Sequence, residues 1–178
     1  GEIQNANLFC YQQEDKRKVE GNFTNKSGNW SFDLETYNKS QTLIIDPLIY
    51  ATYIGGSHYD EAHSIAVDAS NNVYVSGFTY SSDFDITAGA FQSSIAGDWD
   101  IFVSKLNADG TDLIYSTYIG GSGSDFAVSN AVDANNNLYI TGYTTSTNYI
   151  TTAGAFQTIN NGGVDGFITK LNASGTAL

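Results

Sequence analysis

From about Ala62 to Val67 apolar and polar residues alternate, the period of a strand with one face toward a core. Asp68 to Asn72 then supplies turn chemistry, and Val73 to Thr79 alternates again, with Val73, Val75 and Gly77 on one face and Tyr74 and Ser76 on the other. This predicts a hairpin. After some 20 residues Ile101 to Leu106 reads as a third strand, Asn107-Ala108-Asp109-Gly110 as a turn, and Leu113 to Ile119 as a fourth strand ending at Gly120-Gly121. No stretch carries a helical period, so the pattern predicts an all-β fold. In front of this region LFCYQQ, KVEGNF, WSFDLETY and TLIIDP read as short strands divided at Glu14-Asp15-Lys16, Asn25-Lys26-Ser27-Gly28 and Asn38-Lys39-Ser40. Pro47 suits the first position of the next strand, where it removes no central ladder bond.

The same pattern occurs twice. Residues 50–113 align without a gap on residues 115–178 at an offset of 65, with 36 of 64 positions identical. A repeat of this length is one supersecondary unit whose faces are covered by neighbouring copies, so stacked or radially arranged four-stranded units are predicted. The boundaries fall at 1–47 for an N-terminal β-rich segment and 48–178 for about two repeats, 50–114 and 115–178, the second stopping where its fourth strand would begin. A strand Leu48 to Ile54, related to the one before Gly120, is expected ahead of the first copy. Val67, Val75, Phe102 and Leu106, with Val132, Ile140, Phe167 and Leu171, are the expected core. Gly77 and Gly142 interrupt β-branched and aromatic strands, which predicts a close approach of another chain segment. The long loop of each copy, Tyr80 to Trp99 and Thr145 to Val164, keeps Thr-Ala-Gly-Ala-Phe-Gln; Gly89 and Gly154 would turn the backbone sharply while Phe91 and Phe156 plug an apolar layer.

Tyr-Ser-Thr-Tyr-Ile-Gly-Gly-Ser, Ala-Val-Asp-Ala-Asn-Asn-Asn-Leu-Tyr-Ile-Thr-Gly-Tyr-Thr, Gly-Ala-Phe-Gln and Asp-Gly-Phe-Ile-Thr-Lys-Leu-Asn, in this order, resemble the bacterial β-propeller repeat family abbreviated SBBP. The resemblance covers about Tyr50 to Leu178 and implies tandem four-stranded antiparallel propeller blades. Ala88, Ala153, Ala108 and Ala173 stand where family copies often carry proline. The first 47 residues resemble the end of the β-rich domain that commonly precedes such repeats. What the family implies is an exported bacterial protein displayed at or beyond the cell surface, with further blades following.

Composition narrows the partners. Nineteen Asp and Glu against seven Lys and Arg give a formal charge of −12, and no cationic cluster exists for a nucleic-acid backbone. No apolar run approaches a membrane span. With 41% hydrophobic residues the chain can bury a core, and the abundance of Gly, Ser, Thr and Asn favours short strands and tight turns. Cys10 stands alone between apolar neighbours, as a buried structural thiol would. The chain opens on Gly1 with no leader, so either a targeting segment has been removed or, the favoured expectation, this is a piece of something longer.

Catalysis needs a nucleophile beside a base, paired carboxylates or metal ligands at workable spacing. His58 and His63 become Gly123 and Val128 in the second copy, so neither belongs to the repeated pattern. Asp60 with Asp125, Asp68 with Asp133, and Asp100 with Asp165 are kept in both copies. Asp68-x-Ser70-x-Asn72 and Asp133-x-Asn135-x-Asn137 space oxygens as calcium loops do, yet lack the acidic ligand that closes such a loop, so turn formation is favoured. Hence no catalytic, cofactor or metal residue is assigned and no cofactor is expected. The leading expectation is a non-catalytic module, a scaffold or a surface for extracellular protein or glycan. The alternatives are a calcium-stabilised adhesin segment and a glycan-active propeller working through Tyr80, Asp83, Asp85 and Trp99.

Overall fold

A computed structural model describes residues 9–12, 18–19, 21–26, 29–34, 36–46 and 50–178. It divides into two compact units, residues 1–49 and 50–178. In the first unit β1 (Phe9–Gln12) pairs with both β2 (Lys18–Val19) and β5 (Leu43–Asp46), while β3 (Gly21–Lys26) and β4 (Asn29–Leu34) form a separate hairpin. Asn25 and Lys26 are therefore strand residues rather than turn residues, since the hairpin closes more tightly than the polar run suggests. Asn38 does turn the chain, its Oδ1 accepting the Ser40 N–H at 3.0 Å. The expectations for Pro47, Glu14-Asp15-Lys16 and the Cys10 thiol lie outside the described part.

In the second unit β6 (Asp60–Val67), β7 (Val73–Thr79), β8 (Asp100–Leu106) and β9 (Leu113–Ile119) form one antiparallel sheet in sequence order. The second copy repeats it with β10 (Asp125–Val132), β11 (Leu138–Thr144) and β12 (Asp165–Leu171). Among the described residues there is no helix, and so none long and apolar enough to cross a membrane. Both sheets are blades of the predicted kind. Asn71 and Asn136 take positive φ in the hairpin turns, and Gly89 and Gly154 take φ of +80 and +81 in the long loops. These are backbone states that asparagine and glycine tolerate best.

One face of blade 1 carries Tyr74, Ile101, Val103, Tyr115 and Ile119, all buried. It packs on the opposite face of blade 2, whose Leu138, Ile140, Phe167 and Leu171 complete a single core. Asn130 reaches across, donating its N–H to Ser64 Oγ at 3.0 Å and its amide to Ser76 Oγ at 2.7 Å. Trp99 bridges to Ser124, its carbonyl accepting the Asp125 N–H at 2.7 Å. The principal core thus lies between blades, and its blade 1 half is not the half the alternation suggested.

Three expectations are corrected by this arrangement. Val67 is 53% exposed, because it lies on the side of blade 1 that faces away from blade 2; Val132, its equivalent, lies on the side of blade 2 that faces blade 1 and is packed. Phe156 is fully exposed while Phe91 packs into the inter-blade core, its N–H bonded to Gly175 O at 3.0 Å, so this anchor serves the following blade rather than its own. Tyr50–Ile54 is not strand, since no described strand lies beside it as β8 lies beside β9. Of the remaining expected core, Phe102 packs with Phe84 and Tyr118 in a second cluster that half-buried Val75 flanks.

Gly77 and Gly142 follow from a β-bulge repeated in both blades. The register shifts between Ala62 and Ser64 opposite Gly77, and between Ala127 and Ser129 opposite Gly142. A Cβ at either glycine would overlap the carbonyl oxygen of Glu61 or Phe126. The close approach is to backbone of the neighbouring strand, so no side chain fits.

Candidate functional site

The repeated carboxylates brace the fold. Asp125 is fully buried; its carboxylate accepts the Gly121 N–H at 2.8 Å, the Ser146 hydroxyl at 2.8 Å and the Thr144 hydroxyl. Asp60 does the same with Gly56, Ser81 and Thr79. The first glycine of each Gly-Gly pair leaves room for a carboxylate, though not an equivalent one: a Cβ at Gly55 would lie 2.8 Å from Asp60 Oδ2, and one at Gly120 would lie 2.5 Å from Asp100 Oδ1. Asp100 gathers Ala96 N–H, Gln92 Nε2 and Gly97 N–H. Burial, helped by the charge of Asp125, nevertheless pushes its carboxyl up.

Asp68 and Asp133 are turn residues. Asp68 Oδ1 accepts the N–H groups of Ser70 and Asn72 at 2.9 and 3.0 Å, and Asp133 treats Asn135 and Asn137 alike. With its oxygens already bonded to the turn and to Lys105 Nζ at 3.1 Å, Asp68 is held by its own loop. Among the described residues no three His, Cys, Asp or Glu side chains gather as a metal centre would need.

The chain's unrepeated chemistry collects elsewhere, at one end of the junction between blades. The Phe78 ring contacts Phe126 edge-on at 4.7 Å between centroids, and Phe126 stacks on Tyr143 at 5.0 Å. Trp99 lies against Phe78, Tyr59 and Tyr80 at 5.5, 5.4 and 5.1 Å. Tyr59, Tyr80 and Tyr143 are exposed, so a continuous aromatic surface faces solvent. In the second copy Tyr59, Tyr80 and Trp99 are replaced by Ser124, Thr145 and Val164. These rings are not required by the blade itself.

A polar rim surrounds them. Tyr59 donates its hydroxyl to Glu61 Oε2 at 2.7 Å, and His63 Nε2 lies 3.0 Å from Glu61 Oε1. The hydrogen bond from Tyr59, aided by His63, lowers the Glu61 carboxyl, which keeps it ionised at neutral pH. His63 sits at the bulge of β6 and His58 beside Tyr80, both exposed, so the two imidazoles border the aromatic surface. Of the four residues the glycan-enzyme alternative invokes, Tyr80 and Trp99 meet. Asp83 is instead bound to the Ser57 N–H and hydroxyl at 2.9 and 3.0 Å, and Asp85 is exposed on the loop. Sequence reasoning passed over Tyr59, Phe78, Phe126 and Tyr143; the signal available for Tyr59 and Phe126 was that the other copy has Ser124 and Glu61 at their positions, whereas Phe78 and Tyr143 are aromatic equivalents of one another and gave none.

Comparison with known families agrees with the geometry. The family model described as "Beta-propeller repeat" (SBBP) matches residues 49–85 and 114–150. Residues 1–48 match a domain of unknown function, DUF7948. No curated protein matches the chain.

Proposed function

We propose that this chain, which carries two SBBP β-propeller repeats behind a DUF7948 segment, is a non-catalytic binding module of an exported bacterial protein, and that it binds glycan through the aromatic surface around Trp99. The observation that carries the reading is the run of rings from Tyr80 through Trp99, Phe78 and Phe126 to Tyr143. Flat apolar faces with a polar rim suit the C–H faces and hydroxyls of a sugar ring. Glu61 and His63 supply the rim's acceptor and donor. A scaffold alone would have no use for aromatics that the second blade lacks.

The non-catalytic part is supported by where the repeated carboxylates are engaged, in Gly-Gly turns and hairpin turns rather than around an open concavity. Trp99 is one of two tryptophans, so its fluorescence reports on the surface directly. Titration with a panel of bacterial and host polysaccharides should perturb that emission, and Trp99→Ala should remove binding without unfolding the chain. Failure of every polysaccharide to perturb it would overturn the glycan reading; release of shortened sugars during the titration would overturn the non-catalytic one.

A further inference from the structure

The aromatic surface around Trp99 has a charge pattern of its own. Between residues 50 and 178 the Lys and Arg side chains are Lys105 and Lys170 alone. Trp99 immediately precedes β8 and Lys105 lies near its end, as Lys170 lies near the end of β12, so both cations sit at the far end of the strands. Each is paired there, Lys105 with Asp68 at 3.1 Å and Lys170 with Asp133 at 3.7 Å. No fixed cation therefore stands beside the rings, but carboxylates do. Glu61 holds the Tyr59 hydroxyl, and Asp98 precedes Trp99 in the chain. At the Tyr80 side the Ser57 hydroxyl lies 3.0 Å from both Asp83 Oδ1 and His58 Nδ1, and the His58 ring meets Tyr80 edge-on at 5.9 Å.

These charges are as particular to blade 1 as the rings are. Where blade 1 has Tyr59, Tyr80 and Trp99, the second copy has Ser124, Thr145 and Val164; where it has Glu61, Asp83 and Asp98, the second copy has Phe126, Asn148 and Gly163. The carboxylates kept in both copies are taken up by turns, whereas Glu61 has capacity to spare. Its side chain is 45% exposed; Oε2 accepts the Tyr59 hydroxyl at 2.7 Å and Oε1 lies 3.0 Å from His63 Nε2, which leaves each oxygen a further lone pair. The bond between Tyr59 and Glu61 lowers the carboxyl and raises the phenol, so an anion and a neutral hydroxyl coexist from mildly acidic to alkaline pH. Among the described residues Tyr59 and His63 are the titratable groups that face Glu61, and His63 is itself packed on Phe78 at 5.1 Å.

We infer that the glycan this surface takes carries free amines: an amino sugar seats its C–H face on the rings around Trp99 and places its ammonium on Glu61. The inference rests on the glycan reading and narrows it. An ammonium donates to an ionised carboxylate about twice as strongly as a neutral group donates to a neutral acceptor, and a cation is attracted to the ring faces beside it. The N-acetylated form of the same sugar brings only a neutral amide. A uronic acid brings a negative charge against Glu61, Asp83 and Asp98, with no lysine or arginine at hand to offset it.

The test titrates the whole chain at neutral pH with a glucosamine oligosaccharide, its fully N-acetylated counterpart of the same length, an oligogalacturonate and an oligolysine. Binding is read from the emission change that Trp99→Ala abolishes. The aminated sugar should bind about tenfold more tightly than the acetylated one, and the uronate more weakly than either. Raising the pH to roughly 9 discharges the sugar amine while Glu61 stays ionised, and should bring the ratio of the two affinities close to one. Glu61→Gln should do the same at neutral pH. A sugar preference that is absent, that favours the uronate, or that survives Glu61→Gln overturns the inference while leaving the glycan reading in place. Oligolysine that matches the aminated sugar overturns it too, since charge alone would then account for the attraction. If none of the sugars changes the emission, the glycan reading falls and takes this inference with it.

Discussion

Blade 1 and blade 2 share more than half of their residues, yet equivalent side chains differ in burial. Tyr74 and Val103 are sealed while Tyr139 and Ile168 are open; Val132 is packed while Val67 is open. The exchange runs in both directions, so neither copy is simply the better folded. A blade has two apolar faces, and the environment of a repeated position is set by the sheet that lies against it. What belongs to the blade itself is the set of features made within one sheet: the bulge and the Asx turns.

The largest effect expected from this distinction is at the bulge. Gly142→Val places carbon against the Phe126 carbonyl, where neither the strand nor the bulge can yield, and should cost about 5 kcal/mol or prevent folding. Gly77→Val should do the same, because the clash lies within one sheet and does not depend on a neighbour. Thermal melts showing that either glycine accepts valine would break the division between blade-intrinsic and neighbour-dependent positions. Next comes Phe102→Ala, expected to cost roughly 3 to 5 kcal/mol by denaturant titration, since the ring is fully buried against Phe84 and Tyr118.

A pH-dependent effect follows in size. Burial pushes the Asp68 carboxyl up, but hydrogen bonds from Asn72, Lys105 and Ser70 outweigh it and bring the group down to about 2. A depressed carboxyl stabilises the folded chain above its unfolded value near 4, and that contribution disappears as the pH falls from about 4 through 2. Asp68→Asn should therefore lose about 2 kcal/mol at pH 7 and converge with wild type near pH 2. Asp133 is lowered too, by the hydrogen bonds of Asn137, but its lysine partner is half-exposed at 3.7 Å against 3.1 Å for Lys105. Asp133→Asn should lose less, and urea titrations of both variants across this range measure the difference.

The sequence displays what one blade makes alone. Strand limits in the repeats, the turn role of Asp68 and Asp133, the backbone turns at Gly89 and Gly154 and the close approach at Gly77 all follow from period, turn chemistry and self-comparison. Relations between blades were less visible. Both faces of a blade alternate apolar residues, so alternation cannot tell which is covered: it points to Val67 as core, whereas Tyr74, Ile101 and Val103 on the other face are the buried ones. The aromatic surface was half legible: Tyr80 and Trp99 drew notice as unrepeated loop residues, but Phe78 and Phe126 lie on different blades and meet only through packing.

The smallest effect tests the neighbour rule at the loop anchor. Phe91 and Phe156 sit in identical Thr-Ala-Gly-Ala-Phe-Gln segments, and both loops turn at a glycine of nearly equal φ. Among the described residues Phe91 enters the following blade, where it meets the inter-blade core beside the Gly175 turn, while Phe156 is exposed. Half burial makes Phe91→Ala worth about 2 kcal/mol, whereas Phe156→Ala should stay within about 0.5 kcal/mol of wild type in dilute solution. Equal losses would mean that the loop needs its phenylalanine for its own conformation, and the neighbour rule would fail here.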